Sequence, residues 1–286
     1  MASAINKNRN TGSRRALAIV AAVSAAAVSA LGAIWPASSA LAGSTWDGLK
    51  SDVVGARQIE SGFGVVTLEA PMRPEDQRAV PISIDARFVD GRTVKTVTLV
   101  VDENPMPVAA VFSMGPGQRH AALKTKIRLN QQTEVRAIVE ASDGALYMAS
   151  RLVKFAGGQA ACAAPPTGDP ETIAVNMGKM KLADVRTEGE ATRIDHPMRL
   201  EISHPNHTGM ALDQQTLLYI PLRMITELHV SQGDRKLFDM TGSITLAENP
   251  VFEFPITLTG EHQLGVVLKD SNGTEWKATL PIRAGS

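Results

Sequence analysis

Cysteine is nearly absent from this chain, which has a single one, Cys162, among 286 residues. A lone thiol cannot form an internal disulfide, so no disulfide framework supports the fold. In an exported protein an odd cysteine is either a reactive thiol or pairs between molecules. Cys162 is therefore the first candidate for chemistry.

The sequence lacks the features that are typical of several functional classes. The 29 basic residues are balanced by 29 acidic ones, so there is no excess of basic charge of the kind that nucleic acid attracts. The chain has neither a Gly-x-Ser-x-Gly nucleophile elbow nor a Gly-rich phosphate loop. His204 and His207 are three residues apart, with His196 and His229 elsewhere, but no cysteine or carboxylate pattern completes a metal site. We predict a surface loop at His204–His207, with no metal and no cofactor.

Long apolar runs are also lacking beyond the N-terminal region, so no later segment is expected to span a bilayer. Four basic residues precede an Ala-rich stretch from Ala16 to about Trp35, and the small-residue pattern Ala40-Leu41-Ala42 follows. These features predict a signal peptide over residues 1–42 and a periplasmic protein. Ser13-Arg14-Arg15 is similar to a twin-arginine signal, whose cargo crosses the membrane already folded. An uncleaved membrane anchor is the alternative.

What the rest of the chain does have is alternation of apolar and polar residues, which is typical of β-strands with one buried face. The predicted strands lie at 80–88, 97–101, 123–129, 135–139, 146–155, 198–202, 225–230, 251–258, 264–268 and 276–282. Asp143-Gly144 and Asn272-Gly273 predict hairpin turns near the end of each half. We therefore predict an all-β protein with two immunoglobulin-like sandwiches in tandem.

One helix is predicted early in the mature chain, capped by Ser44 or Thr45 and continuing to Val53. The predicted domains are residues 43–156 and 172–286. They are joined by a Gly/Ala/Pro linker at 157–171 that carries the cysteine.

The linker sequence predicts an exposed thiol on a flexible tether. Gly157 and Gly158 loosen the chain before Cys162, and prolines stiffen it afterwards. The nearest cations in sequence are Arg151 and Lys154, so we expect little activation of the thiol. Two plainer interpretations remain open, namely that Cys162 is an inert linker residue and that the glycine pair merely ends a strand.

Motifs in the two halves resemble SoxY and SoxZ, the sulfur-carrying protein of bacterial thiosulfate oxidation and its partner. The SoxY-like motifs are Val97–Phe112 and Glu134–Met148; the SoxZ-like motifs are His204-Pro205, Thr208-Gly209, Asp213, Ile220-Pro221, Ile225 and Glu248–Phe254. The likeness covers nearly the whole mature chain. It resembles a fused SoxYZ-like carrier, of the kind called quinoprotein dehydrogenase-associated SoxYZ-like carrier proteins.

The resemblance implies a covalent carrier rather than an enzyme, with no catalytic residue, no metal and no cofactor. Cys162 would be the carrier cysteine and Gly157 and Gly158 its tether. The implied partners are a c-type cytochrome, a hydrolase and a dehydrogenase of the periplasm, and the implied cargo is a sulfur oxyanion. The family tail is a free Gly-Gly-Cys-Gly-Gly end, whereas here Gln159–Ala161 separate the glycines from the cysteine and both ends of the segment are pinned.

A different class of function is the alternative: a non-covalent docking subunit for a periplasmic quinoprotein (PQQ) dehydrogenase and its c-type cytochrome. A thiol exchanger is disfavoured because the chain has no second cysteine to resolve a mixed disulfide. Cys162→Ser separates the two main hypotheses, since it abolishes the function of a carrier and is nearly silent in a docking subunit.

Overall fold

The fold was obtained as a computed structural model that describes residues 41–155, 157, 160–186, 195–257 and 260–282. The signal peptide predicted over residues 1–42 lies outside the described residues, except for its last two positions. Gly158, the second glycine of the predicted tether, also lies outside them.

The described chain is built mainly of β-strands, eight in the first half and seven in the second. The first half contains β1 (Ile59–Ser61), β2 (Val66–Glu69), β3 (Val80–Arg87), β4 (Val94–Val101), β5 (Val108–Met114), β6 (His120–Ile127), β7 (Thr133–Ala141) and β8 (Leu146–Val153). The second half contains β9 (Met180–Asp184), β10 (Asp195–Ile202), β11 (Ile225–Gln232), β12 (Arg235–Gly242), β13 (Val251–Thr257), β14 (Gln263–Asp270) and β15 (Glu275–Pro281). The all-β prediction is confirmed.

Apolar residues that alternate with polar ones in the sequence are buried in the strands of the structure. Along β6, Leu123 and Ile127 are buried while Lys124 and Lys126 are exposed, as expected for a strand with one face on the core. Gly144 and Gly273 have φ angles of 89° and 78°, the left-handed geometry that tight hairpin turns require of glycine.

Two sheets run through both halves of the chain. The larger has nine strands in the order β1-β8-β7-β4-β5-β12-β11-β14-β15, and the smaller has six in the order β2-β3-β6-β13-β10-β9. The halves meet where β5 pairs with β12, with Phe112 opposite Met240, and where β6 pairs with β13. The tandem sandwiches are thus joined strand to strand, which satisfies backbone groups that two isolated sheet edges would expose.

Aromatic side chains, which are scarce in the sequence, gather at this seam. Phe112 of the first half makes edge-to-face contacts with Phe238 and Phe252 of the second, with ring centroids 5.7 and 6.2 Å apart. Such pairs contribute about 0.5–1.5 kcal/mol each beyond the area they bury. One continuous hydrophobic core therefore spans both halves.

The helices differ in part from the prediction. Helix α1 extends over Leu41–Val54, so Ser44 and Thr45 lie inside it and the predicted cap is wrong. The reason is that Leu41 and Ala42, good helix formers, are helical as well. Trp46 packs this helix onto Val100 and Ile138 of the nine-stranded sheet. No helix in the described part of the chain is long and apolar enough to cross a membrane.

A second helix, α2 (Pro170–Asn176), overlaps the predicted linker and was not predicted. The Asp169 side chain caps it by accepting a hydrogen bond from the Thr172 amide at 2.9 Å, and Pro170 occupies its first turn. Asp-Pro at a helix start is a recognised signal, so the sequence did contain it.

Candidate functional site around Cys162

Cys162 is buried rather than exposed. It lies in a 3₁₀ turn at Ala161–Ala163, and only 1% of its surface is accessible. The prediction of an exposed thiol is therefore wrong, whereas the tether role of Gly157 and Gly158 stays a prediction. The small neighbours that made the segment look flexible also allow it to pack closely, because methyl side chains need little space.

Hydrogen bonds from the first half hold one side of the turn. The amide of Ala161 donates to the Leu129 carbonyl at 3.2 Å, and the amide of Cys162 donates to Asn130 Oδ1 at 3.3 Å. Gln77 Nε2 donates to the carbonyl of Gly157 at 3.4 Å, and Gly157 itself has a φ of 92°. Glycine is suited to this left-handed position at the entry to the segment.

The second half holds the other side of the segment. The Thr208 hydroxyl donates a hydrogen bond to the carbonyl of Cys162. The Thr167 amide donates to both carboxylate oxygens of Glu248, at 3.2 and 3.1 Å. Arg78, from the first half, donates to the Pro165 carbonyl at 3.0 Å and forms an ion pair with Glu248 of the second half at 3.5 Å. The cysteine segment is thus fastened to both halves of the protein.

A buried cation, Arg128, interacts electrostatically with the thiol. Burial raises the pKa of Cys162, and Arg128 opposes that effect only in part. The thiol is therefore protonated near neutral pH, in agreement with the prediction of little activation. Arg128 is 34 residues before Cys162 and directly follows β6, so its proximity was not visible in the sequence.

The loop at His204–His207, predicted to lie on the surface, is buried from His204 to Asn206, and His207 is half-buried. His204 and Asn206 are fully inaccessible to solvent, and the backbone amide of Asn206 donates to His204 Nδ1 at 3.0 Å. The Asn206 side chain bonds the backbone of Ser243, Leu246 and Ile225 at 3.2, 2.8 and 3.0 Å. The loop is a polar core element, because its side chains satisfy backbone groups that would otherwise be buried without partners.

Burial lowers the pKa of His204 to about 4, although Asp270, 3.6 Å from its Nε2, acts in the opposite direction. His207 also has a lowered pKa, mainly because of burial, with Glu248 opposing the shift. Within the described ranges, no group of three or more His, Cys, Asp or Glu residues is placed to hold a metal ion.

A small cavity lies beside the cysteine segment. Its polar lining comes from Arg78, Arg128, His207, Thr208 and Glu248, and prolines and alanines of the segment close it. None of these polar residues was named as a site residue from the sequence, although Thr208 and Glu248 belong to the SoxZ-like motifs. The structure brings them to Cys162 from opposite halves of the chain.

Comparisons with known proteins agree with this arrangement. The family model described as Sulfur oxidation protein SoxY matches residues 50–160, and that described as Sulphur oxidation protein SoxZ matches residues 181–281. Cys162 lies just outside both matched ranges. No curated protein matches the chain.

Two solved structures show partial likeness. The sulfur carrier protein SoxY from Chlorobium limicola f thiosulfatophilum is 21% identical, with a TM-score of 0.34, and the match covers 40% of this chain and 94% of that one. A superoxide reductase (neelaredoxin) from Ignicoccus hospitalis is 12% identical, with a TM-score of 0.26, covering 32% of this chain and 79% of that one. We draw no functional conclusion from likenesses this limited.

The two family matches follow each other along the chain, one in each half of the shared sheets, and together they cover most of it. The chain therefore belongs to the SoxY and SoxZ families of sulfur oxidation proteins, joined in tandem as a fused SoxYZ-like protein.

Proposed function

We propose that this protein is a periplasmic carrier that holds sulfur intermediates covalently on Cys162 and presents them to partner redox enzymes. The observation that carries the proposal is the position of the chain's single cysteine. It follows the SoxY match, which ends at residue 160, by two residues, and residues of both family domains bond the segment around it.

The loading step needs an oxidant, because a disulfide-type bond forms between two reduced sulfurs. When the outer sulfur of thiosulfate bonds to Cys162 Sγ, the thiol loses its proton and two electrons leave the pair. We assign these electrons to partner c-type haems, each of which accepts one. Because burial raises the pKa of Cys162, the partner must also provide the base or the polar surface that removes the proton.

Presentation requires the cysteine segment to open. A thiol that is 1% accessible cannot enter another protein's active site until the bonds from Asn130 and Thr208 break. Cys162 lies five positions after Gly157, so the segment reaches about 17 Å from that point when fully extended. That reach suits a shallow cleft, in keeping with a segment pinned at both ends.

The test is the intact mass of the protein purified from its own periplasm, before and after reductant, with peptide mapping of Cys162. We expect a reductant-labile adduct with the mass of sulfur or a sulfur oxyanion, which Cys162→Ser abolishes while folding is retained. A plain thiol under every growth condition would instead favour the non-covalent docking subunit of a quinoprotein dehydrogenase.

A further inference from the structure

Two equally buried arginines of this protein have different partners. Arg136 and Arg128 are each 7% exposed. Arg136 makes a two-pronged ion pair with Asp102, with Nε–Oδ1 at 2.9 Å and Nη2–Oδ2 at 2.7 Å. Arg128 has no ion pair with any Asp or Glu of the described residues and bonds only backbone carbonyls there. A buried charge without a directly paired counter-charge is costly, so Arg128 is less well compensated than Arg136.

The donors of Arg128 are only partly used. Nη1 donates to the carbonyls of Asn206 and Ile244 at 2.6 and 3.1 Å, and Nη2 donates to that of Pro205 at 3.2 Å. A guanidinium has five N–H donors, so the Nε–H and one Nη2–H are without a partner among the described residues. The Nε–H lies on the edge, shared with Nη2, that commonly binds two oxygens of one carboxylate, sulfonate or phosphate.

The surroundings of Arg128 indicate where an anion would come from. Arg128 lines the small cavity beside the cysteine segment, and its charge interacts with Cys162 and with Glu248. The Glu248 carboxylate is already engaged by Arg78 and by the Thr167 amide. Because Glu248 already has these partners, an anionic group carried on Cys162 is the candidate for compensating Arg128.

We infer that Arg128 binds the anionic end of the group carried on Cys162, through its Nε–H and Nη2–H. The inference rests on the proposed carrier function and deepens it, because it names the residue that recognises the anionic end of the cargo. Binding of that anionic end compensates the buried guanidinium, so an anionic adduct stabilises the closed protein more than an uncharged adduct of similar length does.

The test compares two adducts made chemically on the purified mature protein. Tetrathionate converts the thiol to Cys–S–S–SO₃⁻ and releases thiosulfate and a proton, while tetrathionate's central S–S bond is reduced. Methyl methanethiosulfonate converts it to the uncharged Cys–S–S–CH₃ and releases methanesulfinic acid. Intact mass confirms each product, and thermal unfolding gives the Tm of each.

For the wild type we expect the sulfonate adduct to have a Tm about 4 °C above that of the methylthio adduct, the shift expected of one charge-assisted hydrogen bond in a chain of this size. Arg128→Gln should remove the difference in Tm between the two adducts. Arg128→Lys keeps the charge but cannot donate two parallel hydrogen bonds, so it should retain part of the difference. Arg199→Gln, which removes a surface arginine paired with Glu253, is the matched control and should retain all of it.

Equal Tm values for the two wild-type adducts would overturn the inference even if Arg128→Gln failed to fold. So would a full difference in Arg128→Gln, or a thiol that reacts with tetrathionate only in the unfolded protein. Because both adducts are made in vitro, these results are independent of whether the periplasmic protein is found loaded. Failure of the inference and failure of the carrier function are therefore distinguishable.

Discussion

Individual side chains around Cys162 decide how its thiol behaves. Burial and the bonds from Asn130 and Thr208 keep the thiol away from solvent, although the residue types next to it are small and carry no charge. The closed segment thus shields the thiol from reagents in the solvent. The fastening is made of single hydrogen bonds, each of which contributes about 1 kcal/mol, so it can be opened by a partner.

Removing the Thr208 hydroxyl should loosen the cysteine segment. Thr208→Val deletes the donor to the Cys162 carbonyl, and a loss of about 1 kcal/mol raises the population of open forms roughly fivefold. We expect Cys162 to react with iodoacetamide about five times faster at pH 7.5. Thr226→Val, which deletes a hydroxyl that donates to the Lys269 carbonyl on β14, is the control and should leave the rate unchanged. Equal rates in both variants would show that Thr208 does not restrain the segment.

His204 should make stability depend on pH. Its pKa is about 4 in the folded protein and about 6.5 when unfolded, so the unfolded state binds more protons between these values. The free energy of unfolding is therefore greatest above pH 6.5 and falls by about 3 kcal/mol as the pH drops to 4. His207, whose pKa is also lowered, adds to the same trend.

His204→Asn tests this assignment, because an amide oxygen can accept the Asn206 hydrogen bond but does not titrate. Urea unfolding between pH 4 and 7 should give a flatter profile for this variant than for the wild type. His262→Asn, at an exposed position, is the matched control for the loss of a histidine. Parallel profiles for wild type and His204→Asn would exclude His204 as the source.

At the scale of elements, the seam between β5 and β12 has no space for a side chain at one position, Gly115. The Gly115 amide donates to the Leu237 carbonyl at 2.8 Å directly after β5. A Cβ at Gly115 would lie 2.0 Å from the Lys236 carbonyl oxygen, a backbone atom that cannot move without disturbing the strand pair. The strands that join the two halves therefore depend on a position without a side chain.

Gly115→Ala should destabilise the whole protein by about 1–3 kcal/mol or more, the usual cost of overpacking. The measurement is the urea midpoint of the mature chain. Gly48→Ala is the control, because a Cβ there meets nothing within 4 Å and alanine favours α1 by up to about 1 kcal/mol. If Gly115→Ala unfolded at the same urea concentration as the wild type, the two strands of the seam could move apart slightly at little cost in free energy.

In the described part of the molecule, the main hydrophobic core and both sheets cross from half to half, so the halves should unfold together. Trp46 of α1 reports on the first half and Trp276 of β15 on the second. In a chain that begins at Gly43, Trp46→Phe and Trp276→Phe each leave one reporter. We expect fluorescence of the two variants to change over a single transition with the same slope. The midpoints of the two variants should differ only because each substitution changes the free energy of unfolding by its own amount. Far-ultraviolet circular dichroism measures that change independently.

Two separate transitions seen by circular dichroism in either variant would contradict this expectation. They would show that the β5–β12 and β6–β13 pairs do not couple the halves. The shared core predicts coupling, because separating the halves would expose Phe112, Phe238 and Phe252 to water.

Much of the fold was predictable from local pattern, and two of the missed strands, β5 and β12, share a cause. The short strands β1, β2 and β9 were also missed. Strands such as β3 and β10 alternate clearly and were predicted, whereas β5 and β12 were not. β5 is apolar on nearly every residue, and in β12 the buried Leu237 and Phe238 are adjacent, which breaks the alternation. Both strands lie where the halves join, and their burial depends on the partner strand rather than on their own period.

The candidate site was predictable only in its central residue. A chain with one cysteine identifies Cys162 by itself, and the SoxY-like and SoxZ-like motifs identify the family. Arg128 and Asn130 carry no such signal, because each is an ordinary residue type at a strand end or in a loop. Thr208 belongs to a SoxZ-like motif, but that motif does not indicate that Thr208 bonds the Cys162 carbonyl. Whether Gly157 and Gly158 act as a tether stays a prediction.

The sequence by itself determined the β class, the hairpin turns, the family and the identity of the thiol, because these follow from residue type and from spacing of a few positions. Only the tertiary structure decided that the halves share their sheets, that the His204–His207 loop is buried from His204 to Asn206 and that Arg128 is a neighbour of Cys162. These properties depend on which distant segments pack together, and packing is set by the surfaces that both halves bury at once rather than by any local pattern.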